Sequence, residues 1–177
     1  MTRNTDSSRT DGFTLIELLI VVAIISIIAA IAVPGLLRSR MTANETSALA
    51  SLQAINKAEM LYATSCGNGG FSVSIAVLGT PPPGSTEAFL GADLTQSATP
   101  QKAGYNFTLG GGAGAGAGPN DCNGTATQTT YYATAIPQTF GSTGGRSFAT
   151  NPGQTVWQVN AAAAPTEPFG APAVPIQ

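Results

Sequence analysis

Residues 11–35 read DGFTLIELLIVVAIISIIAAIAVPG, and this stretch decides the fold. From Phe13 to Val33 only Thr14, Glu17 and Ser26 interrupt the apolar side chains. At ~1.5 Å per residue the run makes a helix of about 31 Å, the thickness of a bilayer's hydrocarbon core. A carboxylate inside such a run is costly in lipid, and intramembrane ionisable groups are usually functional and paired. Three readings are open for the segment: a plain membrane anchor, a cleaved secretory signal ending at Ala30-Ile31-Ala32, or a helix held in the membrane and then packed into a protein assembly. Asp6 and Asp11 dilute the positive charge of Arg3 and Arg9 ahead of the run, which fits a secretory signal poorly. Arg38 and Arg40 follow it, so charge alone does not orient it.

The third reading requires a partner for Glu17. Cleavage between Gly12 and Phe13 would create an α-amine at Phe13, one helical turn from Glu17. A carboxylate in the first turn also complements the helix dipole. In a staggered bundle the Glu17 of one chain would meet the Phe13 amine of the next, and such a pair specifies register more than it adds stability.

These residues carry a close resemblance. The stretch GFTLIELLIVVAIISIIAAIAVPG, from Gly12 to Gly35, resembles the amino-terminal signature of type IV prepilins and type II secretion pseudopilins, and residues 44–71 resemble pilin subunits more loosely. The resemblance implies removal of residues 1–12 by a prepilin peptidase after Gly12, N-methylation of Phe13, and a subunit-docking role for Glu17 with Phe13. It also implies a kink or local melting at Pro34, where proline removes a helical hydrogen bond and Gly35 weakens the helix further. Asp11 stands where family leaders carry Lys or Arg, with Arg9 two residues earlier.

Beyond Pro34 the pattern turns amphipathic. Ala48, Leu52, Ile55, Ala58, Leu61 and Tyr62 recur at three- and four-residue spacing, with Glu45, Asn56, Lys57 and Glu59 mostly elsewhere around the helix. One helix is expected from Phe13 to Ser65: a hydrophobic, filament-core half over 13–37 and an amphipathic half over 38–66. The glycines of CGNGG (66–70) suit its left-handed termination. Residues 67–177 are then a globular head. Its parts are a connector (71–104) with a stiff TPPPG corner, a β-meander, and an Ala/Pro-rich tail that runs extended over the surface or lacks order. Strands are expected at 105–109, 129–137, 146–150 and 155–159, separated by glycine-rich turns. The fold class is thus α+β and pilin-like: a long helix on an antiparallel sheet of three or four strands. One sheet face is expected to bury Phe107, Tyr131 or Tyr132, Phe148 and Trp157 against the helix.

Composition narrows the function. The chain of 177 residues has no histidine, 9% charged residues and a net charge of −2. The commonest general base is missing, and no basic patch supports nucleic-acid binding. GGGAGAGAG (110–118) lacks the Gly-Lys-Ser/Thr and the following helix of a phosphate loop, and reads as an exposed loop. Asp93 and Asp121 are lone carboxylates, a weak calcium signature. The Asn-x-Thr triplets at Asn44, Asn106 and Asn123 match a glycosylation pattern that arises readily by chance. Neither an enzyme, nor a cofactor, nor a metal centre is expected. Cys66 and Cys122 lie beyond the apolar run and can pair in an oxidising compartment; such a bridge contributes about 4 kcal/mol on the chain-entropy model.

The leading functional expectation is the major subunit of a type IV pilus. It would wait in the bacterial inner membrane, be processed by the peptidase, and be drawn by an ATP-driven assembly machine into an extracellular homopolymer. A major pseudopilin of a type II secretion system, held in the periplasm, is the alternative. Those proteins often carry a calcium-bound loop near the carboxyl end, whereas this tail has only Glu167. A membrane-anchored periplasmic adhesion or binding module that never polymerises is the third reading.

Overall fold

The computed structural model describes residues 13–176. Helix α1 runs from Leu15 to Ser65, as the two halves of the apolar pattern require. The chain divides into two compact units, one ending at Arg38 and the other beginning at Ser39. In the first unit every described side chain from Phe13 to Ile28 is exposed, and so is nearly all of the rest of the apolar run. The helix assignment continues through Pro34. A Cβ added at Gly35 would meet nothing within 4 Å, so close packing inside this chain does not call for glycine there.

The second unit is an α+β head. After α1 come β1 (Phe71–Ser72), a 3₁₀ turn (Val77–Gly79), the short α2 (Ala92–Thr95) and eight further strands. These are β2 (Gln101–Lys102), β3 (Tyr105–Gly111), β4 (Ala117–Asn120), β5 (Ala126–Gln128), β6 (Tyr131–Pro137), β7 (Ser147–Thr150), β8 (Trp157–Val159) and β9 (Val174–Pro175). The main sheet has the order β2-β3-β6-β7-β8-β9 and is antiparallel throughout. Its centre, β3-β6-β7-β8, is the meander expected from sequence, and β2 and β9 extend it at the two edges. A second sheet has the order β1-β5-β4.

Registers explain which side chains go inward. Phe107 pairs with Ala135, which pairs with Phe148, so these residues share a face. Alternation along β3 and β6 adds Tyr105, Leu109, Tyr131 and Ala133 to it. Opposite them α1 buries Ala48, Leu52, Ile55, Ala58 and Tyr62. Ile75, Leu78, Leu90 and Leu94 of the connector join the same core, and Phe89 meets Tyr62 edge-on at 5.4 Å.

The structure departs from the expected stripe in three places. Leu61 is 55% exposed, because it projects about 100° around the helix from the buried Tyr62. Glu45, Asn56 and Glu59 are buried rather than facing solvent. The main sheet covers one flank of the helix and the connector with β1 covers another, so the buried surface is wider than one stripe. Trp157 pairs with Ala149 on the opposite sheet face, and Val156 takes the inward position instead.

That opposite face has its own cover. The tail folds back over Tyr132 and Trp157. Phe169 stacks on Trp157 at 5.3 Å and lies 6.2 Å from Tyr132. The Tyr132 hydroxyl donates to the Pro165 carbonyl. Glu167 accepts from the Ala113 amide and the Asn151 side chain, both at 2.6 Å. The glycine-rich segment is therefore the crossing from β3 of the main sheet to β4 of the second sheet, tied to the tail at Ala113.

Candidate assembly site

The site suggested by the sequence begins at the amino terminus of α1. Gly12 and the leader lie outside the described residues; Phe13 is 85% exposed. Thr14 immediately precedes the helix and Glu17 closes its first turn. Oε2 of Glu17 accepts from the Thr14 amide at 3.0 Å and the Thr14 hydroxyl at 2.7 Å, while the Glu17 amide donates to Thr14 Oγ1 at 3.3 Å. This reciprocal pattern is a capping box, and it satisfies helix-end donors that have no carbonyl to reach. Thr14 is missing from the residues singled out by sequence, although Thr-x-x-Glu is the local signature of that motif. The carboxylate has a partner within its own chain before any neighbour arrives.

After the capped turn the helix shows apolar side chains all round, from Leu15 at 76% exposure to Leu37 at 55%. The segment is long and apolar enough to cross a membrane, and none of it is buried within the chain. Ser26 returns its hydroxyl to the Val22 carbonyl at 2.7 Å, which removes a bare polar group from this surface.

The head grips the helix through polar groups. Asn44 donates to the Thr143 carbonyl at 2.9 Å, and Glu45 accepts from the Gly145 amide at 2.9 Å. Arg146 places Nε and Nη2 on Glu45 Oε2 at 2.9 and 2.6 Å, and its Nη1 on Gln158. Deeper in, Asn56 joins Tyr131 and Thr150. Glu59 accepts from the Ser72 amide and hydroxyl, and burial pushes its carboxyl up to about 7. At the helix end Cys66 and Cys122 form a disulfide, reinforced by a 2.8 Å bond from the Cys122 amide to the Cys66 carbonyl.

Asp121, beside that disulfide, is surrounded by donors. Its Oδ2 accepts from the Tyr62 hydroxyl at 2.8 Å, and its Oδ1 from the amides of Asn123 and Thr125 at 2.9 and 2.6 Å. Asp93 pairs with Lys102 at 2.7 Å. Among the described residues no cluster of three or more metal-ligating side chains occurs.

Comparison with known proteins points to the same end of the chain. A family model, the prokaryotic N-terminal methylation motif, matches residues 7–33. The type IV wide pilus major component PilA4 of Thermus thermophilus is 53% identical over 51 residues, covering 29% of this chain and 39% of that protein. The type IV major pilin protein PilA of Myxococcus xanthus is 47% identical over 54 residues, 30% of this chain and 24% of that protein. The matched segment thus spans less than half of either relative. No solved structure matches. The amino-terminal segment is thus similar to that of type IV pilins, and the long helix on antiparallel sheets is consistent with the pilin fold.

Proposed function

We propose that the chain is the major repeating subunit of a type IV pilus, assembled through the amino-terminal half of α1. One observation carries this reading: the apolar segment of α1 is exposed in the isolated chain while the head buries its own core. Exposed apolar surface of that extent needs lipid or protein around it. The membrane satisfies the need during storage, and neighbouring copies of the same helix satisfy it in the filament.

A prepilin peptidase removes residues 1–12, Phe13 is methylated, and an assembly ATPase drives extraction from the inner membrane. Docking uses Glu17. Thr14 engages Oε2, and Oε1 accepts the Phe13 amine of the adjacent subunit. Pro34 and Gly35 supply a local weak point that lets the apolar half adapt to filament packing, and the capped first turn holds the carboxylate in place throughout.

Intact-mass measurement of the membrane and filament forms tests the reading. Loss of residues 1–12 with one methyl group added at Phe13 is expected. An uncleaved amino terminus would overturn it in favour of a plain anchor. Electron microscopy at native expression should show long surface fibres, and short periplasmic assemblies alone would identify a pseudopilus. Glu17→Ala should leave membrane insertion intact and reduce fibre number.

A further inference from the structure

Lys57 stands on the outward face of α1, about 140° around the helix axis from the buried Tyr62. Beside it lie two adjoining depressions of about 120 and 300 Å³, both bounded by Gln53 of α1 and Gln154 of the β7–β8 turn. Lys57 and Asn56 line the smaller one, and Leu49 and Thr155 are part of the larger. The turn is held in place: the Gln154 amide donates to the Asn151 carbonyl at 2.9 Å, and the buried Asn56 donates its Nδ2 to the Gln154 carbonyl at 3.2 Å. Gln154 has φ +59°, a left-handed conformation that costs a non-glycine residue free energy. The side chains of Gln53, Lys57 and Gln154 have no hydrogen-bond or ion-pair partner among the described residues. Two carboxamides and one ammonium thus border one concave surface, and that donor set suits a carboxylate.

One carboxylate of the head is left without a partner of its own. Glu45 pairs with Arg146 and Asp93 with Lys102, while Glu59 is bonded to Ser72, Asp121 to Tyr62 and Glu167 to Asn151. Glu87, exposed in the connector after the proline corner, is bonded through its backbone alone, to Ser85. Within the chain it does not serve Lys57. Two residues further on, Phe89 packs edge-on against Tyr62 on the inward side of α1, whereas Lys57 faces outward.

We infer that the depression beside Lys57 receives the Glu87 loop of a second copy of this chain. This rests on the filament reading proposed above. The Glu87 carboxylate accepts from Lys57 Nζ and from the carboxamides of Gln53 and Gln154. Two different patches meet in this contact, so it is heterologous: each copy offers its loop to one neighbour and its depression to another, which extends an open assembly instead of closing a pair. An exposed charge pair adds little affinity by itself but fixes orientation, and here it recurs at every subunit.

The test treats native filaments of the full chain with a water-soluble carbodiimide, which activates a carboxyl group so that a touching amine displaces the urea and forms an amide. Lys57 and Lys102 are the two lysines of the chain. The Lys102–Asp93 pair, at 2.7 Å, gives an intrachain coupling as internal control. A Lys57–Glu87 link between chains is expected, seen as a ladder of multimers on a denaturing gel and as the joined peptides by mass spectrometry. Lys57→Glu and Glu87→Lys should each lower fibre yield at least about threefold with thermal melting unchanged, and the double exchange should restore it. Control coupling without a Lys57–Glu87 link overturns the docking and leaves the filament standing. So does a double exchange that fails to recover the yield. Parent cells that make no fibres, with the chain held uncleaved in the membrane, overturn the filament reading itself and the docking with it.

Discussion

Glu59 and Ser72 are joined twice, by the Ser72 amide to Oε2 at 3.0 Å and by its hydroxyl to Oε1, with the carboxylate wholly buried. Two carboxylate oxygens thus fasten β1 to the middle of α1. Desolvation outweighs these bonds and raises the Glu59 carboxyl from an ordinary 4.5 to about 7. The folded state therefore holds this proton more tightly than the unfolded chain. The stabilisation that comes with it is complete below about pH 4.5 and lost as pH rises towards 7.

Glu59→Gln should remove that dependence. At ~1.4 kcal/mol per pKa unit the swing is about 2–4 kcal/mol, so the variant should gain stability relative to the parent at pH 8 and little at pH 4. Urea midpoints at the two pH values measure it. Parallel curves for the two proteins would show that Glu59 does not titrate in this range.

Glu45 is nine-tenths buried as a side chain, whereas Arg146 is 38% exposed. Removing the arginine leaves a carboxylate whose remaining described bond is to the Gly145 amide. Arg146→Ala should cost about 2–4 kcal/mol, and Arg146→Lys should recover only part of it, because an ammonium cannot present two parallel N–H groups to Oε2 and a third to Gln158. Thermal melts of the three proteins decide the order.

Reduction of the Cys66–Cys122 bridge opens a loop of sequence separation 56, and on the chain-entropy model should cost about 4 kcal/mol. Tyr62→Phe in the oxidised protein should cost about 1–3 kcal/mol, since it leaves Asp121 Oδ2 without its donor. A double-mutant cycle of Tyr62→Phe with Cys122→Ser should show non-additivity, because both lesions loosen the same turn.

Trp157 reports on the tail. Phe169→Ala should lower stability by about 1–3 kcal/mol and shift the emission of the single tryptophan to the red, as water replaces the stacked ring. Truncation before Pro165 should enlarge the shift, because it also removes the Pro165 carbonyl from Tyr132 and Glu167 from Ala113 and Asn151. An unchanged spectrum would mean that the tail does not cover this face in solution.

Much of this architecture is written in local patterns. The extent of α1 follows from an uninterrupted run of apolar and then amphipathic spacing, and the four central strands follow from alternating segments between glycine-rich turns. The left-handed Asn68 and Gly69 lie inside the CGNGG stop signal. The Thr14–Glu17 capping box is also local, and legible at a spacing of three residues. Glu17 looked anomalous because a carboxylate in an apolar run calls for a partner, and part of the answer stands three residues away.

What the sequence by itself determined is the long helix, its apolar first half with one carboxylate, and the set of strands that can pack on its second half. Only the tertiary structure decided which polar residues of that helix go inside. Glu45 meets Arg146 across 101 positions and Asn56 meets Thr150 across 94, and no helical or strand period encodes a partner so distant. The inward choice of Tyr131 over Tyr132, and of Val156 over Trp157, depended on strand register. The cover over Tyr132 and Trp157 depended on a tail whose Ala/Pro composition specifies no element of its own. A period places side chains on a face; only the completed fold supplies what that face is packed against.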